Sequence, residues 1–242
     1  MLLINGVTGA IGSSVLRLAS ERKIPICGIG RDQNKLDTLA KEFPNSHFYS
    51  LNDVSNESEA SNLLKKINDE LGATTMYLHA AALFKKTDSP IQTELADFQE
   101  SLRVNLEGTF IWDKQVLIRM INNKVSGSIL NMSSQAARTG GFGGNVSYAA
   151  AKGGVETLTR SFARFGASSG IRVNAISPGF VNNEMMVRGL TGTQREFFIN
   201  KTLLRRFAEN AEIAKTCLFL LTEESSYMTA EIIEVSAGQK IG

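Results

Sequence analysis

The sequence predicts an α/β fold in which a doubly wound parallel sheet of seven strands carries helices on both faces. Short apolar runs such as LLIN and PICGIG alternate with longer amphipathic segments along the chain. Glycines cluster where the first such run meets the first such segment, in NGVTGAIG. No internal repeat or Pro/Ser-rich linker divides the 242 residues, so we expect a single domain over residues 1–242.

Seven apolar runs supply the strands. They are LLIN, IPICGIG, HFYSLND, MYLHAA, SILNMSS, RVNAISPG and EIIEVS. The helices are predicted at Gly12 to Arg22, Asp32 to Phe43, Glu57 to Leu71, Thr93 to Asn122, Tyr148 to Ser168, and in segments between Gln194 and Thr222. Strands that alternate with helices pair in parallel through right-handed crossovers, which gives the doubly wound sheet.

One stretch interrupts this alternation. Residues 182–207, NNEMMVRGLTGTQREFFINKTLLRRF, follow a strand end and are too short for a domain. Their bulky apolar residues are Met185, Met186, Leu190, Phe197 and Phe198. We predict a substrate lid here; packing on the core or at a subunit interface is the alternative.

Composition excludes several classes of protein. The 26 basic and 24 acidic residues give a net charge of +2 without charge blocks, so neither nucleic acid nor a membrane surface is an expected partner. The sequence shows neither a signal peptide nor an apolar run long enough to span a bilayer, so we expect a cytoplasmic protein. Cys27 and Cys217 stand in apolar runs and are predicted to be buried free thiols.

The glycine turn favours a bound dinucleotide. Gly6, Gly9 and Gly12 lie between the first strand and first helix, where main-chain N–H groups bind a pyrophosphate. A tight turn without a ligand is the alternative. Arg31 ends the next strand, where a guanidinium pairs with the 2′-phosphate of NADP. Asp32 follows and would instead accept hydrogen bonds from the ribose hydroxyls of NAD, so NADP is favoured but NAD stays open.

The stretch SYAAAK places Tyr148 and Lys152 four residues apart, on one face of a helix. Alone, this pair is also typical of a half-exposed aromatic residue beside a surface lysine. Its meaning depends on the motifs around it.

Those motifs follow the order and spacing of a known family. They are GVTGAIG, NDV after the third strand, VNLEG midway, NMSS before SYAAAK, and RVNAISPG. On these motifs the chain resembles the short-chain dehydrogenase/reductase family over essentially its whole length. Its length and Tyr-x-x-x-Lys helix resemble the classical subgroup, which includes 3-oxoacyl-[acyl-carrier-protein] reductases. The resemblance implies a Rossmann fold that binds a nicotinamide cofactor.

The resemblance also implies a catalytic tetrad. Tyr148 would protonate the carbonyl oxygen, and Lys152 would lower the tyrosine pKa and bind the nicotinamide ribose. Ser134 would hydrogen-bond the substrate oxygen, and Asn105 would hold a water beside the lysine. Electrostatics agrees, since a cation about 4 Å away in a dielectric of about 20 supplies the roughly 4 kcal/mol needed to move a phenol pKa from about 10 to about 7.

The cofactor residues implied by the resemblance form a longer set. They are Gly6, Thr8, Gly9, Ile11, Gly12, Arg31, Asp53, Val54, Ala80, Ala81, Tyr148, Lys152, Pro178, Gly179 and Val181.

The chain also departs from the family pattern. HAAA stands where the family has Asn-Asn-Ala-Gly, and we expect His79 to make a structural hydrogen bond rather than bind a metal; no metal site is predicted. Asn183 stands where a threonine commonly contacts the nicotinamide amide. Ser134 precedes the tyrosine by one residue more than usual, and only one of Ser133 and Ser134 can face the nicotinamide, because successive strand side chains point to opposite faces.

The expected reaction is NADPH-dependent reduction of a 3-oxoacyl thioester, as in fatty-acid or polyketide synthesis. A dehydrogenase of a secondary alcohol, sugar or steroid is one alternative, and a non-catalytic NADP-binding scaffold is another. The arginines that dock acyl carrier protein in the family correspond to Val125 and Ser169 in this chain. The loss of these two cations weakens the expectation that an acidic carrier protein docks here. The resemblance also implies a homotetramer or homodimer, with Phe162 and Phe165 on an interface helix; a related partner subunit is the alternative.

Overall fold

Seven parallel strands form one sheet in the computed structural model of the chain, which describes residues 1–85, 89–141 and 145–239. Their spatial order is β3-β2-β1-β4-β5-β6-β7. The strands are Leu2–Asn5 (β1), Ile26–Gly30 (β2), His47–Ser50 (β3), Met76–His79 (β4), Gly127–Met132 (β5), Ile171–Pro178 (β6) and Ile232–Val235 (β7). This confirms the predicted sheet.

Helices connect the strands and cover both faces of the sheet. They are Ala10–Glu21 (α1), Gln33–Glu42 (α2), Glu57–Leu71 (α3), Leu95–Leu102 (α4), Gly108–Asn122 (α5), Ala136–Thr139 (α6), Val146–Gly166 (α7), Glu184–Val187 (α8), Gly192–Asn200 (α9) and Asn210–Leu221 (α10). A π-helical turn, Arg103–Glu107, joins α4 to α5. The long helical stretch predicted from about Thr93 to Asn122 is therefore confirmed, because α4, this turn and α5 form one continuous helical run from Leu95 to Asn122.

Each face of the sheet has its own apolar core, because side chains alternate along a buried strand. Leu2, Ile4 and Leu78 pack towards α1 and α10, together with Cys217. Leu3 and Tyr77 pack on the other face, against residues of α3 and α5. Cys27 and Cys217 are buried free thiols, as predicted, and lie in these two separate cores.

The strand order reverses beside β1, which pairs with β2 on one side and β4 on the other. Parallel sheets bind ligands outside the carboxyl ends of the strands at such a point. The register aligns Asn5 with His79 and His79 with Asn131, so the carboxyl ends of β1, β4 and β5 stand level. These strand ends and their loops position the site. None of the described helices combines the length and apolar character needed to cross a membrane.

Candidate active site

The turn between β1 and α1 contains two glycines that a larger residue would disrupt. Gly6 has φ +87°, and a Cβ atom there would lie 2.4 Å from the nitrogen of Ala81. A Cβ atom on Gly12 would lie 2.3 Å from the carbonyl oxygen of Gly6. Gly9 is the N-cap of α1, whose first turn has no acidic residue. The exposed helix N–H groups and the positive end of the helix dipole fit a pyrophosphate.

The end of β2 separates the two candidates for recognising the ribose. Arg31 is exposed and has no hydrogen bond or ion pair within the described part of the chain. Asp32 is the N-cap of α2, and its Oδ1 accepts a hydrogen bond from the main-chain N–H of Lys35 at 3.2 Å. One oxygen of this carboxylate therefore caps the helix, whereas the guanidinium has no partner among the described residues. Thr8 lies beside this point, because a Cβ atom on Gly30 would meet its Cγ2 at 2.8 Å.

The loop after β3 carries Asp53 and Val54. Asp53 accepts hydrogen bonds from Ser55 and from Arg103, and these interactions hold the pKa of its carboxyl below the usual range. Val54 is buried beneath it and packs where a Cβ atom on Gly108 would lie, 3.0 Å from its Cγ1. Asp53 and Val54 thus join the loop after β3 to the π-helical turn and to the start of α5.

The other predicted cofactor residues lie at the carboxyl ends of β4 and β6. The N–H of Ala80 donates to the carbonyl of Asn5 at 2.8 Å, which closes this end of the sheet beside the glycine turn. The N–H of Gly179 donates to the carbonyl of Val235 at 3.0 Å. The remaining members of the set at these strand ends are Ala81, Pro178 and Val181. Asn183 uses its Oδ1 to cap α8, accepting from the N–H of Met186 at 3.1 Å.

Tyr148 and Lys152 lie one turn apart near the start of α7, against the end of β5. The Nζ atom of Lys152 donates to the carbonyl oxygen of Met132 at 2.6 Å and lies 5.5 Å from the centre of the Tyr148 ring. Lys152 is 1% exposed, and its burial lowers its pKa to about 8. The ammonium group is therefore desolvated and has one main-chain acceptor near the tyrosine ring.

Burial raises the pKa of Tyr148 to about 12, and a hydrogen bond with Ser134 acts in the opposite direction. The chain's own groups therefore favour the neutral phenol, which can donate a proton. The sequence predicted that Lys152 lowers this pKa, but burial and the Ser134 hydrogen bond are the causes of the shift in the chain alone, and Lys152 is not among them. A phenolate at this position needs a further positive charge.

The two neighbouring serines have different surroundings. Ser134 hydrogen-bonds Tyr148 and is partly exposed. Ser133 is buried, and its hydroxyl donates to the Glu156 carboxylate at 3.0 Å and to the carbonyl of Lys152 at 3.4 Å. The structure thus brings Ser134, and not Ser133, to the tyrosine. The residue inserted between Ser134 and Tyr148 cannot be located, because residues 142–144 lie outside the described part of the chain.

Asn105 is fully buried in the π-helical turn, where it clamps the loop after β4. Its Nδ2 donates to the carbonyl of Leu83 at 2.8 Å, and its Oδ1 accepts from the N–H of Leu83 at 2.9 Å. Its own carbonyl accepts from the Thr109 hydroxyl at 2.8 Å. The water predicted beside Lys152 stays a prediction.

A buried polar cluster lies beneath Lys152. The Nδ1 of His79 is 2.8 Å from the Tyr77 hydroxyl, which is the structural hydrogen bond expected for this residue. Burial, and secondarily the charge of Lys152, lowers the pKa of His79 to about 3. Asn131 donates to the Asp113 carboxyl at 2.6 Å, and burial raises the pKa of Asp113 to about 8. Burial thus favours the neutral form of both His79 and Asp113.

Aromatic residues lie beside Tyr148 and in the segment after β6. Phe84 packs edge-on against Tyr148, with ring centres 5.2 Å apart. Phe198, on α9, packs on Phe180 at 4.8 Å, while Phe197 and Met185 are about half exposed. The segment 182–207 thus presents apolar surface next to the loop after β6. No group of three or more His, Cys, Asp or Glu residues in the described ranges could hold a metal ion.

Three residues of this region are not evident from the sequence. Phe84 follows a strand end, Arg103 precedes Asn105 by two residues, and Asp113 stands on an otherwise apolar helix face. Of the three, only Arg103 could have been suspected from the sequence, because it immediately precedes the VNLEG motif. Its partner Asp53 is 50 residues earlier, and no local pattern indicates the pairing.

A glycine-lined helix N-terminus at the switch point of a parallel sheet, with a tyrosine, a serine and a buried lysine beside it, defines a nucleotide-dependent oxidoreductase. The chain belongs to the short-chain dehydrogenase/reductase family. The sequence model of the family, described as enoyl-(acyl carrier protein) reductase, matches residues 6–240. The resemblance noted from the motifs is confirmed.

Curated relatives align along nearly their whole length. The 3-oxoacyl-[acyl-carrier-protein] reductase FabG of Rickettsia felis is 28% identical over 236 residues, covering 98% of this chain and 95% of the relative. The protein of the same name in Thermotoga maritima is 29% identical over 239 residues, covering 98% and 96%. Carbonyl reductase family member 4 of Danio rerio is 30% identical over 242 residues, covering 100% and 98%.

Solved structures show the same fold. A short-chain type dehydrogenase/reductase from Mycobacterium ulcerans superposes with a TM-score of 0.93 at 22% identity, covering 99% of this chain and 89% of that one. A putative gluconate dehydrogenase from Agrobacterium tumefaciens gives 0.91 at 24% identity, covering 99% and 95%. By family, the chain is an NAD(P)-dependent oxidoreductase that acts on CH–OH and C=O groups.

Proposed function

We propose that the chain is an NADPH-dependent carbonyl reductase that converts a 3-oxoacyl thioester to the 3-hydroxyacyl thioester. The observation that carries this proposal is the hydrogen bond between Ser134 and Tyr148, one helical turn from the buried Lys152. These three groups converge at the carboxyl end of β5, level with the glycine turn. Catalytic roles for these residues and for Asn105 are part of the proposal.

The chain's residues would divide the work on the carbonyl group. When bound, the nicotinamide cofactor supplies the hydride. Tyr148 donates its phenolic proton to the carbonyl oxygen, and the Ser134 hydroxyl holds that oxygen by a hydrogen bond. Lys152 stabilises the phenolate that remains. The two hydrogen bonds from Asn105 to Leu83 keep the loop that carries Phe84 against the tyrosine.

The preference for NADPH rests on the end of β2. Arg31 is exposed and unpaired among the described residues, whereas Asp32 caps α2. A guanidinium binds a 2′-phosphate through paired charge-assisted hydrogen bonds, which NADH cannot offer. We expect a higher kcat/KM with NADPH than with NADH, and the variant Arg31→Ala should lose most of this difference.

The acyl thioester rests on the FabG-named relatives and on the apolar lid at 182–207. Docking of an acidic carrier protein has less support. Arg119 and Lys124 could replace the docking arginines that are missing at positions 125 and 169. They lie near the amino end of β5, about 20 Å from Ser134 along six strand residues. Arg138 is paired with Glu234 and lies 3.9 Å from Glu156. The proposal is therefore stated for the thioester, whether carrier-linked or CoA-linked.

A turnover assay with both cofactors tests the function. The purified chain is given acetoacetyl-CoA, carrier-linked acetoacetate, and a panel of other ketones, sugars and secondary alcohols. We expect the highest kcat/KM for a 3-oxoacyl thioester with NADPH. Faster oxidation of an alcohol would support a dehydrogenase instead, and cofactor binding without turnover on the panel would support a scaffold.

We propose further that two copies associate through α5 and α7. Phe110 and Phe165 are exposed on these helices, and Phe110 packs against Phe162 with ring centres 6.0 Å apart. An open hollow of about 420 Å³ between the helices is lined by Leu106, Phe110, Gly154 and Leu158, among others. Light scattering should show a dimer or tetramer, and Phe165→Glu should shift it to the monomer; a monomeric wild type at micromolar concentration would contradict this proposal.

A further inference from the structure

One arginine of the π-helical turn holds the carboxylate of Asp53. Nη1 of Arg103 donates to Oδ1 of Asp53 at 2.8 Å and to Oδ2 at 2.6 Å. The same nitrogen also contacts the Ser55 hydroxyl. Arg103 begins the π-helical turn that carries Asn105, whereas Asp53 lies in the loop after β3, so the ion pair joins two segments that are far apart in sequence.

The two oxygens of the Asp53 carboxylate are used unequally. Oδ1 accepts from the N–H of Ser55 at 2.9 Å, from its hydroxyl at 2.6 Å and from Arg103 at 2.8 Å. Oδ2 accepts from Arg103 alone in the described part of the chain. A carboxylate oxygen has two lone pairs, so Oδ2 keeps one acceptor direction open. The side chains of Arg103 and Asp53 are 43% and 40% exposed, and a ligand can therefore reach this oxygen.

We propose that Arg103 is a positioning residue for the adenine end of the cofactor, because it fixes Asp53 so that Oδ2 faces an incoming amino group. The inference rests on the proposed nicotinamide cofactor site. An exocyclic amino group is a hydrogen-bond donor, and a carboxylate held in one orientation accepts it without first losing side-chain freedom. Arg103 acts through Asp53 and takes no part in hydride or proton transfer.

This role separates the adenine half of the cofactor from the reacting half. Reduced nicotinamide mononucleotide carries the hydride and lacks adenine, so it provides a probe that never reaches Asp53. Loss of Arg103 should weaken NADPH and leave this truncated cofactor unchanged. A general disturbance of the π-helical turn would instead affect both cofactors, because Asn105 stands two residues further on.

The test measures Kd, KM and kcat for both cofactors in the full chain. We expect Arg103→Gln to raise the Kd and KM of NADPH by about three- to tenfold with kcat within about twofold, and to leave the mononucleotide constants unchanged. Arg103→Lys should recover part of the affinity, because a point charge replaces the bridging guanidinium. In combination with Asp53→Asn, Arg103→Gln should add nothing further.

Arg17→Gln is the matched control. Arg17 pairs with both oxygens of Glu42 at similar exposure, on α1 and α2, and its loss should leave both cofactors unaffected. Equal affinity of the wild type and Arg103→Gln for NADPH would overturn the inference, as would parallel losses for both cofactors or additive losses in the double variant. A wild type that binds neither NADPH nor NADH would overturn the proposed function itself, and this inference with it.

Discussion

The ammonium nitrogen of Lys152 lies 2.6 Å from the carbonyl oxygen of Met132 and 5.5 Å from the centre of the Tyr148 ring. One buried cation thus joins the carboxyl end of β5 to the first turns of α7. Burial disfavours the charged form of this lysine, because the ammonium group loses its water and gains one carbonyl as a hydrogen-bond acceptor. The charge state of this lysine should therefore control the tyrosine beside it.

The pH dependence of the reaction follows from this burial. The pKa of Lys152 is lowered to about 8, so the lysine loses its charge as the pH rises through that value. We expect kcat/KM for carbonyl reduction to fall about tenfold per pH unit above pH 8. The variant Lys152→Arg stays charged in this range. It should have a lower kcat than the wild type but no fall in kcat/KM above pH 8. Stopped-flow or steady-state profiles from pH 6 to 10 give the comparison, and an equal decline in the arginine variant would contradict the assignment.

Replacing the phenol tests the proton donor. Tyr148→Phe removes one oxygen from a partly buried ring and should leave the melting temperature within a few degrees of the wild type. We expect kcat to drop by about 10²–10⁴, the usual contribution of a positioned general acid. Tyr227→Phe is the control, because that tyrosine is fully exposed away from the site. A variant at position 148 that keeps a tenth or more of the wild-type kcat would refute the role of this tyrosine.

The adjacent serines should give opposite results. Ser134→Ala removes the hydroxyl that bonds Tyr148 and should lower kcat by about 10²–10³ with little change in stability. Ser133→Ala leaves the buried Glu156 carboxylate without one donor and should cost about 1–3 kcal/mol of unfolding free energy. Turnover assays and urea unfolding of both variants separate the effects. If alanine at position 133 caused the larger loss of kcat, the assignment of Ser134 would be wrong.

Asp113 should make stability depend on pH. Its pKa is raised to about 8 in the folded chain, so between pH 4 and 8 the folded state binds a proton that the unfolded state has released. This stabilising contribution is complete below pH 4 and is lost as the pH rises through 8. From pH 5 to 7 the unfolding free energy should decrease by about 3 kcal/mol from this group. Asp113→Asn should remove that part of the slope, whereas exposed Asp69→Asn should not; equal slopes in all three proteins would contradict the prediction.

Local pattern was enough for the sheet and most of its helices. The alternation of Leu2, Leu3 and Ile4 between two cores follows from burial on both faces of a parallel strand. The π-helical turn inside the helical stretch predicted from Thr93 to Asn122 was not visible, because one widened turn has no distinct pattern of residue types. The turn goes with a long-range contact, because the buried Asn105 within it hydrogen-bonds the main chain of Leu83.

The site was predictable where it depends on spacing and not where it depends on long-range pairing. Tyr148 and Lys152 share a helix, so their proximity follows from helical geometry. The choice between Ser133 and Ser134 required the position of Glu156, and the capping bond of Asp32 required the exact start of α2. The partnership of Asp53 with Arg103 depends on how the third strand and the fourth helix approach, which no local sequence pattern encodes.

The double hydrogen bond between Asn105 and Leu83 makes the amide side chain imitate a peptide group. One donor and one acceptor of the side chain match the carbonyl and N–H of a single residue, as a neighbouring strand would. Aspartate at position 105 has the same size but would point a second acceptor at the Leu83 carbonyl, and serine would be too short to bridge both groups. The Asn105 side chain therefore holds the loop that carries Phe84 in the way a neighbouring β-strand would. The position of Phe84 beside Tyr148 depends on the amide group at residue 105 as much as on the size of that residue.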